Sequence, residues 1–256
     1  MLLLNDVTAG YIKHAPVLKH VGFHLNKGEL AVLLGKNGSG KSTLFACVNR
    51  EIRYKGCILV DGTDIHAISP RAAAQKIAIL PQMLRKIHLT VEELVLLGRS
   101  PYINFAARPG KNDFDAVQEA MLSVGIQSLA EAYVDRISGG ERQKAYLAMV
   151  LAQQTPLILL DEPTTYMDAS CKAEFMHLLA QICRKEGKTL LIVTHDLELA
   201  VTYADRVLLL DAGELVFDGD ADTCIAEGAI EKIFGVKQHV LYEENRRYVF
   251  YTDRRE

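Results

Sequence analysis

Several protein classes are excluded by what the sequence lacks, beginning with an excess of charge. Its 256 residues carry 29 Lys and Arg against 32 Asp and Glu. Without a basic surplus there is no electrostatic footprint for nucleic acid, so we expect no nucleic-acid partner. No apolar run approaches the roughly 20 residues that a membrane-spanning helix needs. We therefore expect a soluble chain whose contact with a membrane depends on a partner.

Cysteine usage and the amino terminus exclude further classes. The five cysteines are scattered, odd in number and never paired at the spacing of metal ligands, so we expect reduced thiols in a cytosolic protein. The first residues become acidic too soon for a signal peptide. The length suits one large domain, or one domain with a subdomain. The cysteines are Cys47, Cys57, Cys171, Cys183 and Cys224.

The glycine-rich stretch Gly35–Ser42 is the most informative motif. It fits the pattern Gly-x-x-x-x-Gly-Lys-Ser/Thr, follows an apolar run that predicts a buried strand, and leads into a predicted helix. Its glycines allow successive N–H groups to turn toward one point, and the helix start adds a positive dipole end. Lys41 brings a positive charge to the β- and γ-phosphates, and the Ser42 hydroxyl can ligate Mg²⁺. The other interpretation, a turn with an exposed lysine, leaves the spacing and both flanks unexplained.

Two carboxylates follow a second predicted strand. The run Leu157–Leu160 is continuously apolar, as in parallel strands covered on both faces, and Asp161 and Glu162 follow it. Ligands of parallel α/β sheets lie at that edge. We therefore predict that Asp161 holds the Mg²⁺ shell and that Glu162 polarises a water in line with the γ-phosphate as general base. Such a pair can also simply cap the next helix, but beside a phosphate loop catalysis is favoured.

Three further side chains have two interpretations each on the residues alone. Gln82, after a short apolar run and Pro81, is either solvated or positioned to ligate Mg²⁺ or hold the attacking water. His195, at the end of a predicted strand, is either structural or a hydrogen-bond donor to the γ-phosphate. Tyr11, in a polar setting, either packs on an edge strand or stacks on an adenine.

A serine followed by two glycines decides between these interpretations. Ser138 and Glu141 predict a capping box for a helix over Arg142–Ala152. Capping does not explain Gly139 and Gly140, whose bare N–H groups at a helix start make a second anion site. One chain then carries two phosphate sites, and a single nucleotide can use both if two chains meet head to tail.

Apolar periodicity divides the chain into an α/β core, a helical insert and a tail. Residues 1–82 and 153–220 form the core, where short strands and strand–helix–strand units predict a mostly parallel sheet with an N-terminal antiparallel β-subdomain. Residues 83–152 have the spacing of helices and form an inserted α-helical subdomain. Residues 221–256 form the tail.

Within the insert and the tail, individual elements are predicted from the same periodicity. A helix over Asp113–Val124 places Phe114 on its apolar face. In the tail, one helix is predicted over Ile225–Phe234, and two strands are predicted over Val240–Tyr242 and Tyr248–Tyr251.

With these motifs in this order, the sequence closely resembles the ATP-binding subunits of ABC transporters over essentially its whole length. Tyr11 matches the adenine-stacking aromatic, Gln82 the Q-loop, Asp168 the D-loop and His195 the switch histidine. The resemblance implies a P-loop NTPase (RecA-like) core. It also implies an ATPase in which two copies enclose two ATP, each between the phosphate loop of one copy and Ser138–Gly140 of the other.

The resemblance also assigns site residues. The implied nucleotide contacts are Tyr11, Gly35, Lys36, Asn37, Gly38, Ser39, Gly40, Lys41, Ser42, Thr43, Ser138, Gly139, Gly140 and Asp168. The implied Mg²⁺ ligands are Ser42, Gln82 and Asp161. The implied catalytic residues are Lys41, Gln82, Glu162 and His195.

Finer features resemble one branch, the subunits that drive importers of iron–siderophore, haem and vitamin B12. They are Leu89–Tyr102, Glu162–Asp168 and Ile233–Val236. This branch implies a separate integral membrane permease, an extracytoplasmic substrate-binding protein, and a peripheral location on the cytoplasmic face of the cell membrane. The alternative is a non-transport ABC ATPase acting on a soluble macromolecular partner. The single ATP-binding unit and the absence of a heptad run disfavour that alternative.

Overall fold

The computed structural model describes residues 1–12, 15–104, 107–165, 167–243 and 246–253. Its strands are β1 (Leu2–Ala9), β2 (Leu18–Leu25), β3 (Leu30–Leu34), β4 (Tyr54–Val60), β5 (Thr63–Asp64), β6 (Ile77–Leu80), β7 (Leu157–Asp161), β8 (Thr189–Val193), β9 (Arg206–Asp211), β10 (Glu214–Gly219), β11 (Val236–Glu243) and β12 (Arg246–Asp253). Its helices are α1 (Lys41–Val48), α2 (Pro70–Ala74), α3 (Val91–Leu97), α4 (Lys111–Val124), α5 (Gly139–Ala152), α6 (Ala169–Glu186), α7 (Leu197–Tyr203), α8 (Ala221–Ala226) and α9 (Ala229–Phe234).

The central sheet has the strand order β10-β9-β3-β8-β7-β6. Neighbouring strands are parallel except β10, which forms an antiparallel hairpin with β9. Successive side chains of a strand point to opposite faces. In β3, Leu30, Val32 and Leu34 therefore enter one apolar layer, while Ala31 and Leu33 enter the other. Cover on both faces explains why the parallel strands are apolar throughout.

Two different units cover the sheet. On one face lies an antiparallel sheet of order β2-β1-β4-β5, which shares its apolar layer with α1. On the other face lie the insert α3, α4 and α5 together with α6 and α7. The α/β class, the mostly parallel sheet, the N-terminal antiparallel sheet and the helical insert predicted from the sequence are confirmed.

A buried arginine, Arg99, connects the loop after α3 to α4 and to the end of α5. Arg99 is only 5% exposed. Its Nε lies 3.1 Å from Asp113 Oδ1, and its Nη1 donates to the carbonyl oxygen of Ala152 at 2.7 Å. The ring of Tyr102 lies 4.1 Å from the guanidinium carbon. A charge this deeply buried requires such partners, so the loop after α3 is fixed to both α4 and α5.

Several local predictions are corrected by the structure. Phe114 is 43% exposed because the buried stripe of α4 consists of Ala116, Val117, Ala120, Met121 and Val124, and Phe114 falls at its margin. The helix predicted over Ile225–Phe234 is two helices, α8 and α9, because Gly228 adopts a left-handed conformation with φ 60° between them. The tail strands are longer than predicted and pair from Val236 with Asp253 to Glu243 with Arg246.

The five cysteines are free. Over the ranges that the structure describes, no helix combines the length and the apolar character needed to cross a bilayer.

A close approach of two insert helices gives a stability prediction. A Cβ added to Gly98 would lie 2.1 Å from the carbonyl oxygen of Met149 in α5, so Gly98→Ala must force α3 and α5 apart. We expect a loss of about 1–3 kcal/mol in the free energy of unfolding, measured by urea denaturation followed by circular dichroism. Leu122→Ala, at a position 65% exposed on α4, is the control and should change stability by less than about 0.5 kcal/mol. Equal stability of both variants would contradict the close packing.

Candidate functional site

The carboxyl ends of four neighbouring strands bring the predicted catalytic side chains together. The phosphate loop follows β3, Gln82 lies two residues past β6, Asp161 ends β7, and His195 lies two residues past β8. Because β6, β7, β8 and β3 are adjacent and parallel, these ends share one edge of the sheet. The sheet therefore converts four distant sequence positions into one site.

The phosphate loop curls around the side chain of Lys41. Its Nζ donates to the carbonyl oxygens of Gly35 at 2.6 Å and Lys36 at 3.0 Å. Gly38 and Gly40 adopt left-handed backbone conformations, with φ of 80° and 110°, that suit glycine. A Cβ on Gly35 would lie 2.4 Å from the carbonyl oxygen of Leu210, so the loop also passes too close to β9 for any side chain there.

A cavity of about 240 Å³ opens between this loop and the strand ends. It contains most of the predicted triphosphate and metal contacts. Its lining residues are Val17, Asn37, Gly38, Gly40, Lys41, Ser42, Thr43, Gln82, Asp161, Glu162, Val193 and His195.

Burial changes the pKa values of two charged groups in this cavity, Lys41 and Asp161. The Lys41 side chain is largely inaccessible, and burial lowers its pKa, while the negative charges of Glu162 and Asp161 partly offset that effect. Burial, followed by the negative charge of Glu162, raises the pKa of the Asp161 carboxyl, and Lys41 and His195 act in the opposite direction. Ionised Asp161 is thus disfavoured in the free protein, and a cation bound beside it would relieve that cost.

Glu162 is held by three neighbouring side chains. His195 Nε2 lies 2.6 Å from Oε1, Gln82 Nε2 donates to Oε2 at 2.7 Å, and Thr165 Oγ1 donates to Oε2 at 3.0 Å. The backbone of Glu162 has φ 47°, which is uncommon for a residue with a side chain, and its N–H donates to the carbonyl of Val193 at 2.9 Å. The structure therefore joins the ends of β6, β7 and β8 through a single carboxylate.

Thr165 is the member of this group that the sequence analysis missed. Its hydroxyl lies three residues after Glu162, and it also donates to the Glu162 carbonyl oxygen at 3.0 Å. A hydroxyl residue three positions after the predicted base was the available signal. Tyr166, the next residue of the predicted D-loop, lies outside the described residues.

The second predicted phosphate site lies at the start of α5 and does not line the cavity. The capping box is present: the Glu141 N–H donates to Ser138 Oγ at 3.3 Å, and the Ser138 N–H donates to Glu141 Oε2 at 2.9 Å. Ser138 and Gly139 are exposed, and a Cβ built on Gly139 or Gly140 would meet nothing within 4 Å. The helix begins at Gly139 rather than Arg142, so both glycines lie in its first turn.

Outside the phosphate loop, whose Gly35, Lys36 and Ser39 do not line the cavity, the predicted nucleotide contacts Asp168 and Tyr11 also lie away from its lining. Asp168 caps α6, where its Oδ1 accepts from the Cys171 N–H at 2.9 Å, and that hydrogen bond lowers the pKa of its carboxyl. Tyr11 is 64% exposed. Such exposure does not fit edge-strand packing and leaves the ring accessible for stacking.

The fold and the lysine-bearing phosphate loop define a P-loop nucleoside triphosphatase. Comparison with known proteins gives the family. The family model described as ABC transporter matches residues 18–165, more than half of the chain. The chain belongs to the ABC transporter family, and its ATP-binding cassette is an ATPase coupled to transport.

One curated relative and two solved structures illustrate the similarity. The ferric enterobactin transport ATP-binding protein FepC of Escherichia coli (strain K12) is 37% identical over 235 residues, which cover 91% of this chain and 86% of that protein. A metal-chelate type ABC transporter in an inward-facing conformation has a TM-score of 0.84 at 25% identity, covering 98% of this chain and 96% of that one. The dimeric cassette MJ0796 bound to ADP and Pi has a TM-score of 0.73 at 27% identity, covering 86% and 99%.

The charge of Asp161 gives a prediction about stability and function together. Because burial and Glu162 disfavour the ionised carboxyl, Asp161→Asn should raise the thermal midpoint of the nucleotide-free protein at neutral pH. The same change should abolish Mg²⁺-dependent ATP hydrolysis. Thermal unfolding in the presence of a chelator measures the first effect, and phosphate release measures the second. A lower midpoint for the variant would contradict the electrostatic argument.

Proposed function

We propose that this chain is the ATP-hydrolysing subunit of an importer of iron–siderophore chelates, bound to the cytoplasmic face of a membrane through a permease. The observation that carries the proposal is a site divided in two, with the phosphate loop in one cavity and the glycines of the first turn of α5 outside it. The similarity to FepC, a ferric enterobactin transport protein, and to the metal-chelate type transporter supports this cargo class.

The donors at the strand ends suit Mg²⁺. Ser42, Gln82 and Asp161 each offer a side-chain oxygen, the ligand atom that Mg²⁺ prefers, and they line one cavity. We propose that these three residues hold Mg²⁺, which would neutralise charge on the β- and γ-phosphates. Lys41 would exchange its two carbonyl partners for phosphate oxygens, a stronger charge-assisted interaction.

We assign Glu162 as the general base for the attacking water. In the nucleotide-free chain both of its carboxylate oxygens are in contact with side chains, Oε1 with His195 and Oε2 with Gln82 and Thr165. A carboxylate held in this way is a poor base, so Gln82 must withdraw for water to approach. Gln82 stands where the chain leaves β6 for the helical insert, so rotation of the insert supplies that movement.

The second half of the site comes from a second copy. Gly139 and Gly140 lie in the first turn of α5, where a Cβ built on either would meet nothing within 4 Å, and the positive end of the helix dipole lies at this turn. Such a helix start is suited to an anion, and the γ-phosphate of a facing copy supplies one. The dimeric cassette bound to ADP and Pi supports a dimer, and we propose that its two copies meet head to tail. In it, Tyr11 would stack on the adenine, and Asp168 would lie at the junction of the two copies.

Trapping the dimer tests this arrangement. Glu162→Gln removes the base but keeps the shape, so the variant should bind ATP, stop turnover and sediment as a dimer with Mg²⁺-ATP. Adding Ser138→Arg, which covers the start of α5 with a bulky side chain, should return the double variant to a monomer. Lys41→Ala in the same background is the control for lost ATP binding.

Two results would contradict the assignment. Normal hydrolysis by Glu162→Gln would exclude Glu162 as the base. A double variant that still dimerises with ATP would exclude the α5 start from the interface.

A groove of about 650 Å³ on another side of the molecule suits the permease. Its apolar walls come from the end of α1, from α2 and from β6, and one residue of its lining, Pro81, directly precedes Gln82. Gln153, at the end of α5, also lines it. A permease segment bound in this groove would contact the C-terminal ends of α1 and α5, the two helices that begin at the phosphate sites. The lining is Val48, Asn49, Arg50, Pro70, Ala73, Ala74, Ile77, Ile79, Pro81 and Gln153.

Arg50 gives this groove a charge. Its Nη1 is buried and has no hydrogen-bond partner among the described residues, so an acidic side chain on the permease would satisfy it.

In cells deleted for this gene, we expect the wild-type chain to restore uptake of iron-loaded siderophores. Arg50→Glu should leave the ATPase rate of the purified chain unchanged and reduce uptake at least about tenfold, the effect of about 1.4 kcal/mol in docking.

Cobalamin and haem uptake, measured in the same cells, identify the cargo. Restoration of one of these instead of siderophore uptake would reassign the chelate. No restoration of any uptake would overturn the importer. Full uptake with Arg50→Glu would remove Arg50 from the docking groove.

A further inference from the structure

The C-terminal hairpin has no part in the mechanism described so far. It consists of β11 and β12, and its two faces differ. One face is built into the large apolar layer: Val249 is 7% exposed, and Val236, Val240 and Tyr251 pack against the same layer. The opposite face is more open, and Tyr248 there is 47% exposed. The hairpin is thus docked by one side only.

The element beneath the hairpin is α7, on which β12 packs. With seven residues, α7 is far too short to be stable by itself, so its position depends on what surrounds it. Ala200 and Val201 fix its inner side in the core. Tyr203 fixes its end, because its hydroxyl donates to the carbonyl of Ala173 in α6 at 3.2 Å. The hairpin and α8 also pack against α7.

The start of α7 determines where His195 stands. Asp196 caps the helix by accepting the Leu199 N–H at 3.2 Å, and its own N–H donates to Thr194 Oγ1 at 3.1 Å. Lys172 Nζ lies 3.2 Å from the other Asp196 oxygen. His195 is enclosed by these contacts on both sides along the chain. A shift of α7 therefore moves the imidazole that lies 2.6 Å from Glu162.

Tyr251 of the hairpin lies beside Glu162 and His195. It lines a recess of about 480 Å³ together with Glu162, Thr165, His195 and Asp196. We infer that Tyr251 is a positioning residue for ATP hydrolysis: its ring, held by the hairpin, supports the start of α7 and so keeps His195 in place against Glu162. The inference rests on the proposed function, in which Glu162 is the general base.

The hydroxyl of Tyr251 is directed back into the tail. It donates to Gln238 Oε1 at 3.3 Å, and Gln238 Nε2 donates to the carbonyl of Ile225 in α8 at 3.0 Å. The hydroxyl end of Tyr251 is therefore held by β11 and α8, while its apolar ring lines the recess. This division predicts that the ring matters more for the reaction than the hydroxyl.

The test compares steady-state ATPase kinetics of three variants. Tyr251→Ala should lower kcat about tenfold and leave KM for ATP unchanged, since misplacing a catalytic group by about 1 Å can cost up to a hundredfold. Tyr251→Phe should keep most of the wild-type kcat. Tyr248→Ala is the matched control, because it removes the same type of side chain from the same strand on the opposite face, and it should have the wild-type kcat.

Hydrogen exchange distinguishes a local displacement of the start of α7 from a loosening of the whole protein. In Tyr251→Ala, exchange should accelerate in residues 194–200 and stay unchanged in α1. If Tyr251→Ala does not fold, Tyr251→Leu, which keeps apolar volume, takes its place with the same expectation for kcat.

Three results would overturn the inference. They are an unchanged kcat, an equal loss of kcat in Tyr248→Ala, and an equal loss in Tyr251→Phe. Glu162→Gln, assayed alongside, distinguishes the two failures. If it is inactive while Tyr251→Ala turns over normally, only the role of Tyr251 is wrong. If it is active, the proposed base is wrong.

Discussion

The contacts of one carboxylate, Glu162, connect the parts of this molecule. Its two oxygens are shared between His195, Gln82 and Thr165, so the ends of three adjacent strands meet at one group. A carboxylate with these partners is poorly available as a base. If Glu162 is the base, as we propose, ATP hydrolysis requires those contacts to rearrange.

Two separate surfaces are connected to Glu162 by different side chains. The large groove reaches it through Pro81 and Gln82, which stand where the helical insert joins the core. The C-terminal hairpin reaches it through α7 and His195. A permease in the groove would change the first contact, whereas the hairpin keeps the second one constant. In this arrangement the contact of Glu162 with Gln82 would change, and its contact with His195 would stay fixed. Such a pair of contacts suits an enzyme whose turnover is controlled by another protein.

The sequence predicted those parts of the site whose chemistry requires a fixed local pattern. The phosphate loop, with Lys41 held among its carbonyls, and the pair Asp161 and Glu162 at a strand end follow from spacing and apolar runs. Phe114 was misplaced because helical periodicity marks a stripe but not its edges. The break at Gly228 was missed because the apolar pattern continues through the glycine. Periodicity reports which side of an element is buried, and less about where the element stops.

Contacts between distant segments could not be read from the sequence at all. The burial of Arg50 Nη1 and the recess that Tyr251 lines together with His195 each depend on how separate elements are packed. No local pattern encodes them, since each partner has an ordinary local environment of its own. They are nevertheless the contacts through which a partner or a tail can influence the reaction.

The central claim is that one chain holds half of each ATP site. A crystal structure of the Glu162→Gln protein with Mg²⁺-ATP tests it most directly. We predict two copies head to tail, with each γ-phosphate between Lys41 of one copy and the Gly139 and Gly140 N–H groups of the other. An ATP fully enclosed by a single chain, with the start of α5 open to solvent, would contradict the account.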